Sequence, residues 1–150
     1  MNDRFTAGFV AGVVGGFIGF LNNFIFIHFF KFGTLRYSDF SSILIFGHKS
    51  ISNEEGLLAI LAFLGFSGGL GVLFGYLIPL VSERFYWYKA LIYGFGIWFC
   101  IYAVMALFKV PSLTDISFPS ALTNSVSSSL YGVVNAWALR RLIKPATPFP

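Results

Sequence analysis

The chain has 150 residues, of which 57% are hydrophobic and 11% charged, with a formal net charge of +4. A soluble domain of this size could not keep that balance in water without large sticky patches, and the length leaves room for one domain only. The basic residues are scattered over the segments between apolar runs and toward the C-terminal end rather than gathered on one polar face, which argues against nucleic acid as a partner.

Four apolar stretches, roughly 5–30, 56–81, 90–108 and 118–139, carry no acidic or basic residue at their centres. Each is long enough to cross about 30 Å of hydrocarbon at about 1.5 Å per residue. The expected fold class is therefore all-α, an integral membrane four-helix bundle over 1–144 with both termini cytoplasmic. The first run follows the short head Met1, Asn2, Asp3, Arg4 and ends in Phe29, Phe30 and Lys31. Since the apolar region of a secretory signal spans about 7–15 residues, this longer run reads as a retained span.

On a helical wheel of the first span, Gly8, Gly12, Gly15, Gly16 and Gly19 fall within a sector of roughly 100°. Val10, Val14, Phe17, Leu21 and Phe24 lie opposite, while Asn22 and Asn23 flank the glycine line near the far end. In lipid, helices cohere through close backbone approach at small residues and through polar side chains, so this face is expected to be buried in protein. The loop 31–55 that follows has an apolar middle, Phe40, Ile43, Leu44, Ile45 and Phe46, too short to span. It predicts a short helix at the outer surface or folded over the bundle, with Ser38 or Asp39 as its cap.

The second span repeats the small-residue device, with Gly65 and Gly69 on one line and Gly68, Gly71 and Gly75 on another beside Ser67. Two such faces call for two neighbours. Pro79 sits near the inner end of the span, where a lost backbone hydrogen bond costs least. Phe85, Tyr86, Trp87, Tyr88 and Trp137 fit an aromatic ring at the inner boundary. The third span carries Trp87, Tyr93, Gly94, Gly96, Trp98 and Tyr102, read as packing and anchoring residues. The single cysteine, Cys100, lies within that span, has no second thiol, and reads as a small packing residue.

On the fourth span Ser120, Asn124, Ser128, Tyr131 and Asn135 recur on one helix face. Asn124 lies about 9 Å in from one end and Asn22 about 12 Å in from the matching end. The first and fourth helices are therefore expected to pack with Asn22 or Asn23 near Asn124, pairing amides that would otherwise be stranded in hydrocarbon. The segment 145–150, with prolines at 145, 148 and 150, predicts a flexible tail.

An even number of spans places Arg4, Arg84, Lys89, Arg140, Arg141 and Lys144 on one side against Asp3 and Glu83. Lys31, Arg36, Lys49 and Lys109 fall on the other, balanced by Asp39, Glu54, Glu55 and Asp115. Basic short loops stay in the cytoplasm, so the termini are expected to face in, in a cell (inner) membrane crossed several times.

No motif fixes a chemistry. His28 and His48 lack a Cys or carboxylate at metal-ligand spacing, the serines of the fourth span lack a base, and no intramembrane Asp or Glu offers a proton path. No catalytic, cofactor or metal site is expected. Asn22, Asn23, Asn124, Ser128 and Asn135 read either as a polar helix interface or as the lining of a narrow passage for a small neutral or anionic solute. The leading expectation is a non-catalytic component of a homo-oligomer or larger membrane complex, with the bilayer and either itself or another membrane protein as partners.

The glycine-rich first helix, the pattern Trp87, Tyr93, Gly94, Trp98, and Tyr131 with Gly132 in the last helix resemble the YqhR-type family of small four-span membrane proteins of Gram-positive bacteria. Where that family carries an acidic tail, this chain has Arg140, Arg141 and Lys144. The resemblance implies a four-span fold and a bacterial membrane, and carries over no functional residue. The Gly15, Gly16, Gly19 cluster is also faintly similar to small fluoride channels, but the arginine that follows it there is absent.

Overall fold

A computed structural model gives the fold, described for residues 3–81, 84–110 and 113–143. The chain order is α1 (Arg4–His28), α2 (Tyr37–Phe46), α3 (Asn53–Leu80), α4 (Tyr86–Leu107) and α5 (Phe118–Leu142), and the described residues are otherwise turns and extended connections. The expected tail 145–150, with Lys144 and Glu83, lies outside the described residues. By length and composition α1, α3 and α4 are long and apolar enough to cross a membrane. The last helix, α5, has 25 residues and about the same reach, roughly 37 Å, but its serines and asparagines make it too polar to qualify on composition.

Local signals explain where the helices begin. Asp3 caps α1, its carboxylate accepting from the amides of Phe5 (3.0 Å) and Thr6 (2.9 Å). The Thr6 hydroxyl and these amides hold the carboxyl below its ordinary range, so the charged cap persists at neutral pH and is lost only as the pH falls through that lowered value. Ser52 caps α3 by accepting from Glu55 N at 3.2 Å. The cap expected at Ser38 or Asp39 sits earlier. Arg36 is the cap residue of α2, and Asp39, in the first turn, accepts from Arg36 N at 2.9 Å. A carboxylate three residues into a helix reaches back to the cap amide more easily than it caps itself.

Packing begins with α1, which has a neighbour on each side. Gly8, Gly12 and Gly16 meet Val72, Gly71, Gly68 and Ser67 of α3, while Gly15 and Gly19 meet Tyr131, Asn135 and Ser127 of α5. All five glycines are buried as expected, but the single predicted face divides between two seams. A third tight seam joins α5 to α4, where Gly94 and Ala90 meet Ser128 and Gly132. The helices thus form the row α3, α1, α5, α4, each antiparallel to the next. The row curls rather than closing. Helices α3 and α4 share no backbone seam and meet through side chains near one end, where Phe74 packs against Tyr93 (ring centroids 4.9 Å apart) and Tyr86 (6.1 Å).

That end also carries the start of α1 and the close of α5, since Gly75 faces both Arg4 and Leu139. Phe85, Trp87, Tyr88 and Trp137 are exposed there, with the Arg141 guanidinium 5.7 Å from the Trp137 ring. Tyr86 departs from the expected ring, because its hydroxyl turns inward and donates to Ala136 O at 2.8 Å. At the opposite end α2 folds over the row. Its Phe40 and Ile43 pack with Leu35, Met105 and Leu113, while Leu44 and Ile45 remain exposed. Elsewhere Phe17, Leu61, Phe66, Phe95 and Phe99 line the outside of the three apolar helices, surface that suits lipid and not water.

A methyl group at Gly12 would overlap Ser67 O, and one at Gly94 would overlap Ser128 O. In both cases backbone must move. Gly12→Leu and Gly94→Leu are expected to lower the melting temperature in mild detergent by well over the effect of Gly96→Leu, because Gly96 faces open space. Equal melting of the three variants would show that the seams are not tight.

Candidate functional site

The chain's buried polar residues converge where α1, α2, α4 and α5 meet. Asn23, on α1, is fully buried, as is Asn124 of α5, and Asn23 Nδ2 donates to Asn124 Oδ1 at 2.5 Å. Each amide also engages its other polar atom. Asn23 Oδ1 accepts from Tyr37 N at 3.2 Å, and Asn124 Nδ2 donates to Tyr102 Oη of α4 at 2.8 Å. Tyr37, at the start of α2, donates its hydroxyl to Asn124 O at 2.7 Å. Burial pushes that phenol well above its ordinary value, so it stays a neutral donor. One amide pair therefore ties together four helices.

Around the pair, hydroxyls add further bonds across the seams. Asn22 Nδ2 donates to Ser127 Oγ at 2.8 Å, Ser128 Oγ to Gly94 O at 2.8 Å, and Tyr131 Oη to Ser67 O at 2.8 Å. At the start of α5, Ser120 Oγ accepts from Thr34 N at 2.9 Å and Thr123 donates to Phe32 O at 3.1 Å. These bonds pin the link between α1 and α2, where Gly33 takes φ +104° and presses on Ser120.

Of the residues the sequence singles out, Asn22, Asn23 and Asn124 come together as expected. Ser128 turns instead to α4. Asn135 lies one turn beyond Tyr131, fully buried against the α1 seam, and neither of its amide atoms has a hydrogen-bond partner among the described residues. Ser127, Tyr37 and Tyr102 belong to the network but were not singled out for it. Ser127 sits three residues from Asn124, a spacing that signals a shared face, whereas the two tyrosines arrive from other helices and no local pattern announces them.

The glycines of α3 also separate. Gly68, Gly71 and Gly75 face α1, but among the described residues no neighbour lies within 4 Å of a methyl group built at Gly65 or Gly69, and both are exposed. The packing role expected of Gly65 and Gly69 is therefore not met inside the chain. A helix in a row has one inward side, and Gly68, Gly71 and Gly75 occupy it. The histidines take separate partners: His28 stacks on Phe24 at 5.1 Å, and His48 Nδ1 lies 2.9 Å from Lys49 O and 4.0 Å from Glu55.

Comparison with known proteins returned no matching family model, curated protein or solved structure.

Leaving a buried amide without its partner costs about 1–3 kcal/mol, whereas removing a group that has no partner costs little. Asn124→Leu is therefore expected to destabilise the protein in thermal unfolding, because it takes the acceptor from Asn23 Nδ2 and the donor from Tyr102 Oη. Asn135→Leu is expected to be neutral or stabilising. The reverse ranking would mean that Asn135, and not the pair, carries the interface.

Proposed function

We propose that this is a non-catalytic, multi-pass membrane protein in which α5 forms a fourth span, and that it acts as a component of a homo-oligomer in a bacterial cell membrane. The observation that carries the reading is the open Gly65, Gly69 face of α3. Small residues four apart let two helices approach backbone to backbone in lipid, and here no helix of the same chain takes that place. A second copy supplies one.

The polarity of α5 is compatible with a span because its buried serines, threonine and asparagines face α1 and α4, not lipid. The start of α1 and the close of α5 lie toward the same end of the row, with Arg4, Lys89, Arg140 and Arg141 near it, which favours a cytoplasmic location for the termini. This layout agrees with what the resemblance to YqhR-type proteins implies.

A solute passage along Asn22, Asn23, Asn124, Ser128 and Asn135 is the competing reading. The close approach of Gly15 and Gly19 to α5 argues against it: methyl groups there would lie 3.0 Å from Tyr131 O and 3.1 Å from Ser127 O. Space of that width holds no water file. Asn23 and Asn124 also spend a hydrogen bond on each other, and Asn22 spends one on Ser127.

Association through α3 is tested by cross-linking of Gly65→Cys or Gly69→Cys in membranes, and by native mass spectrometry of Gly65→Ile/Gly69→Ile. Disulfide-linked dimers from the cysteine variants and monomers from the isoleucine variant are expected, with unchanged melting of the subunit. Dimers that persist in the isoleucine variant, or a parent protein that is always monomeric, would end the proposal.

A further inference from the structure

Because the row of helices does not close, a cavity of about 950 Å³ remains between α3 and α4. That lies at the upper end of the about 300–1,000 Å³ typical of ligand sites. Phe66 and Leu73 of α3 form one wall, Gly96 and Val104 of α4 the other, and Gly16 and Tyr131 contribute to the floor. Its length from Tyr93 to Phe108 along α4 is about 22 Å at 1.5 Å per residue.

Both ends are shut. At one end the Tyr93 hydroxyl donates to Leu70 O at 2.5 Å and joins the two walls. At the other, α2 lies across the opening through Phe40, Leu44 and Ile45. A partner helix that spans a membrane must pass both closures, so the shape rejects it. A flexible chain that enters sideways and ends inside need pass neither. The lining is mostly carbon, which favours hydrocarbon, and three of the hydroxyls that reach it are engaged: Tyr131 on Ser67 O, Ser128 on Gly94 O and Tyr37 on Asn124 O, while Trp98 Nε1 has no partner among the described residues.

One charge stands beside the closed α2 end. Lys109, exposed, lies between Phe108 and Val110, both of which line the cavity at its α2 end. Arg36 and Lys49 share one carboxylate, both lying within 4 Å of Asp39 (3.9 and 3.8 Å), whereas no ion pair among the described residues includes Lys109.

We propose that this cavity holds an acyl chain of an anionic phospholipid whose phosphate pairs with Lys109. The inference uses the membrane setting but not self-association, whose glycines, Gly65 and Gly69, border the cavity wall without lining it. The ammonium supplies charge complementarity for the phosphate, and the carbon-lined walls replace the chain's neighbours in the bilayer.

The test uses the full chain in mild detergent, with dioleoyl phosphatidylglycerol and dioleoyl phosphatidylcholine offered together in native mass spectrometry. The parent is expected to retain phosphatidylglycerol preferentially. Gly96→Phe fills the cavity from a position with nothing within 4 Å, so the subunit should fold, as its melting will report. It is expected to bind phosphatidylglycerol about tenfold more weakly, what loss of about two buried methylenes produces. Lys109→Gln should keep the chain but erase the preference for the anionic head. In a Trp87→Phe/Trp137→Phe background, Trp98, which lines the cavity, should be quenched by acyl-brominated phosphatidylglycerol, and Gly96→Phe should relieve that quenching. Equal retention by parent and Gly96→Phe overturns the proposal. So does a preference for phosphatidylglycerol that survives Lys109→Gln, or a Gly96→Phe variant that loses its dimer while keeping its lipid.

Discussion

Backbone-to-backbone approach at glycine is the interaction on which this structure depends. Helix α1 has α3 and α5 at its sides because Gly8, Gly12 and Gly16 point one way and Gly15 and Gly19 the other. Any side chain at Gly12 would collide with carbonyl oxygen, so the seam cannot be widened by a rotamer change. Where lipid surrounds the helices there is no hydrophobic gain in bringing them together, and dispersion across these close seams supplies the cohesion instead.

That closeness decides where polar groups can lie. With α1 and α5 held at backbone distance, Asn23 and Asn124 reach each other directly, and Tyr37 and Tyr102 complete their hydrogen bonding from α2 and α4. Individual interhelical hydrogen bonds of this kind contribute only about 0.6 kcal/mol on average. Their larger effect is on specificity, since any register that separated the amides would strand them in a low-dielectric interior. Asn135 is the exception that shows the rule, an amide buried by the same seam with no partner to meet it. The serines of α5 are tolerable because this helix is flanked on both sides by protein.

A row of helices has free ends, and the curl of this row turns them toward each other without a seam. Tyr93 and Phe74 bridge α3 and α4 at one end, and α2 roofs the other. The space between is a consequence of large aromatic side chains on walls that lack facing glycines. Gly96 meets nothing, whereas Gly94, on the opposite side of the same helix, is pressed against α5.

The sequence by itself determined that the chain is helical, that α1, α3 and α4 are apolar enough for a membrane, although it counted the more polar α5 with them, which face of α1 is buried, and that its asparagines pair with the last helix. These follow from periodicity and composition, which act within one helix or through matched depth on two. A short helix in the loop 31–55 was also legible, from the apolar run Phe40 to Phe46 between polar flanks. What only the tertiary structure decided is neighbourhood. The division of the α1 glycines between two seams, the outward turn of Gly65 and Gly69, the inward turn of Tyr86 and the cavity beside Gly96 all depend on which helix stands next to which. A small residue reports that something can come close, but it has no side chain with which to specify the partner.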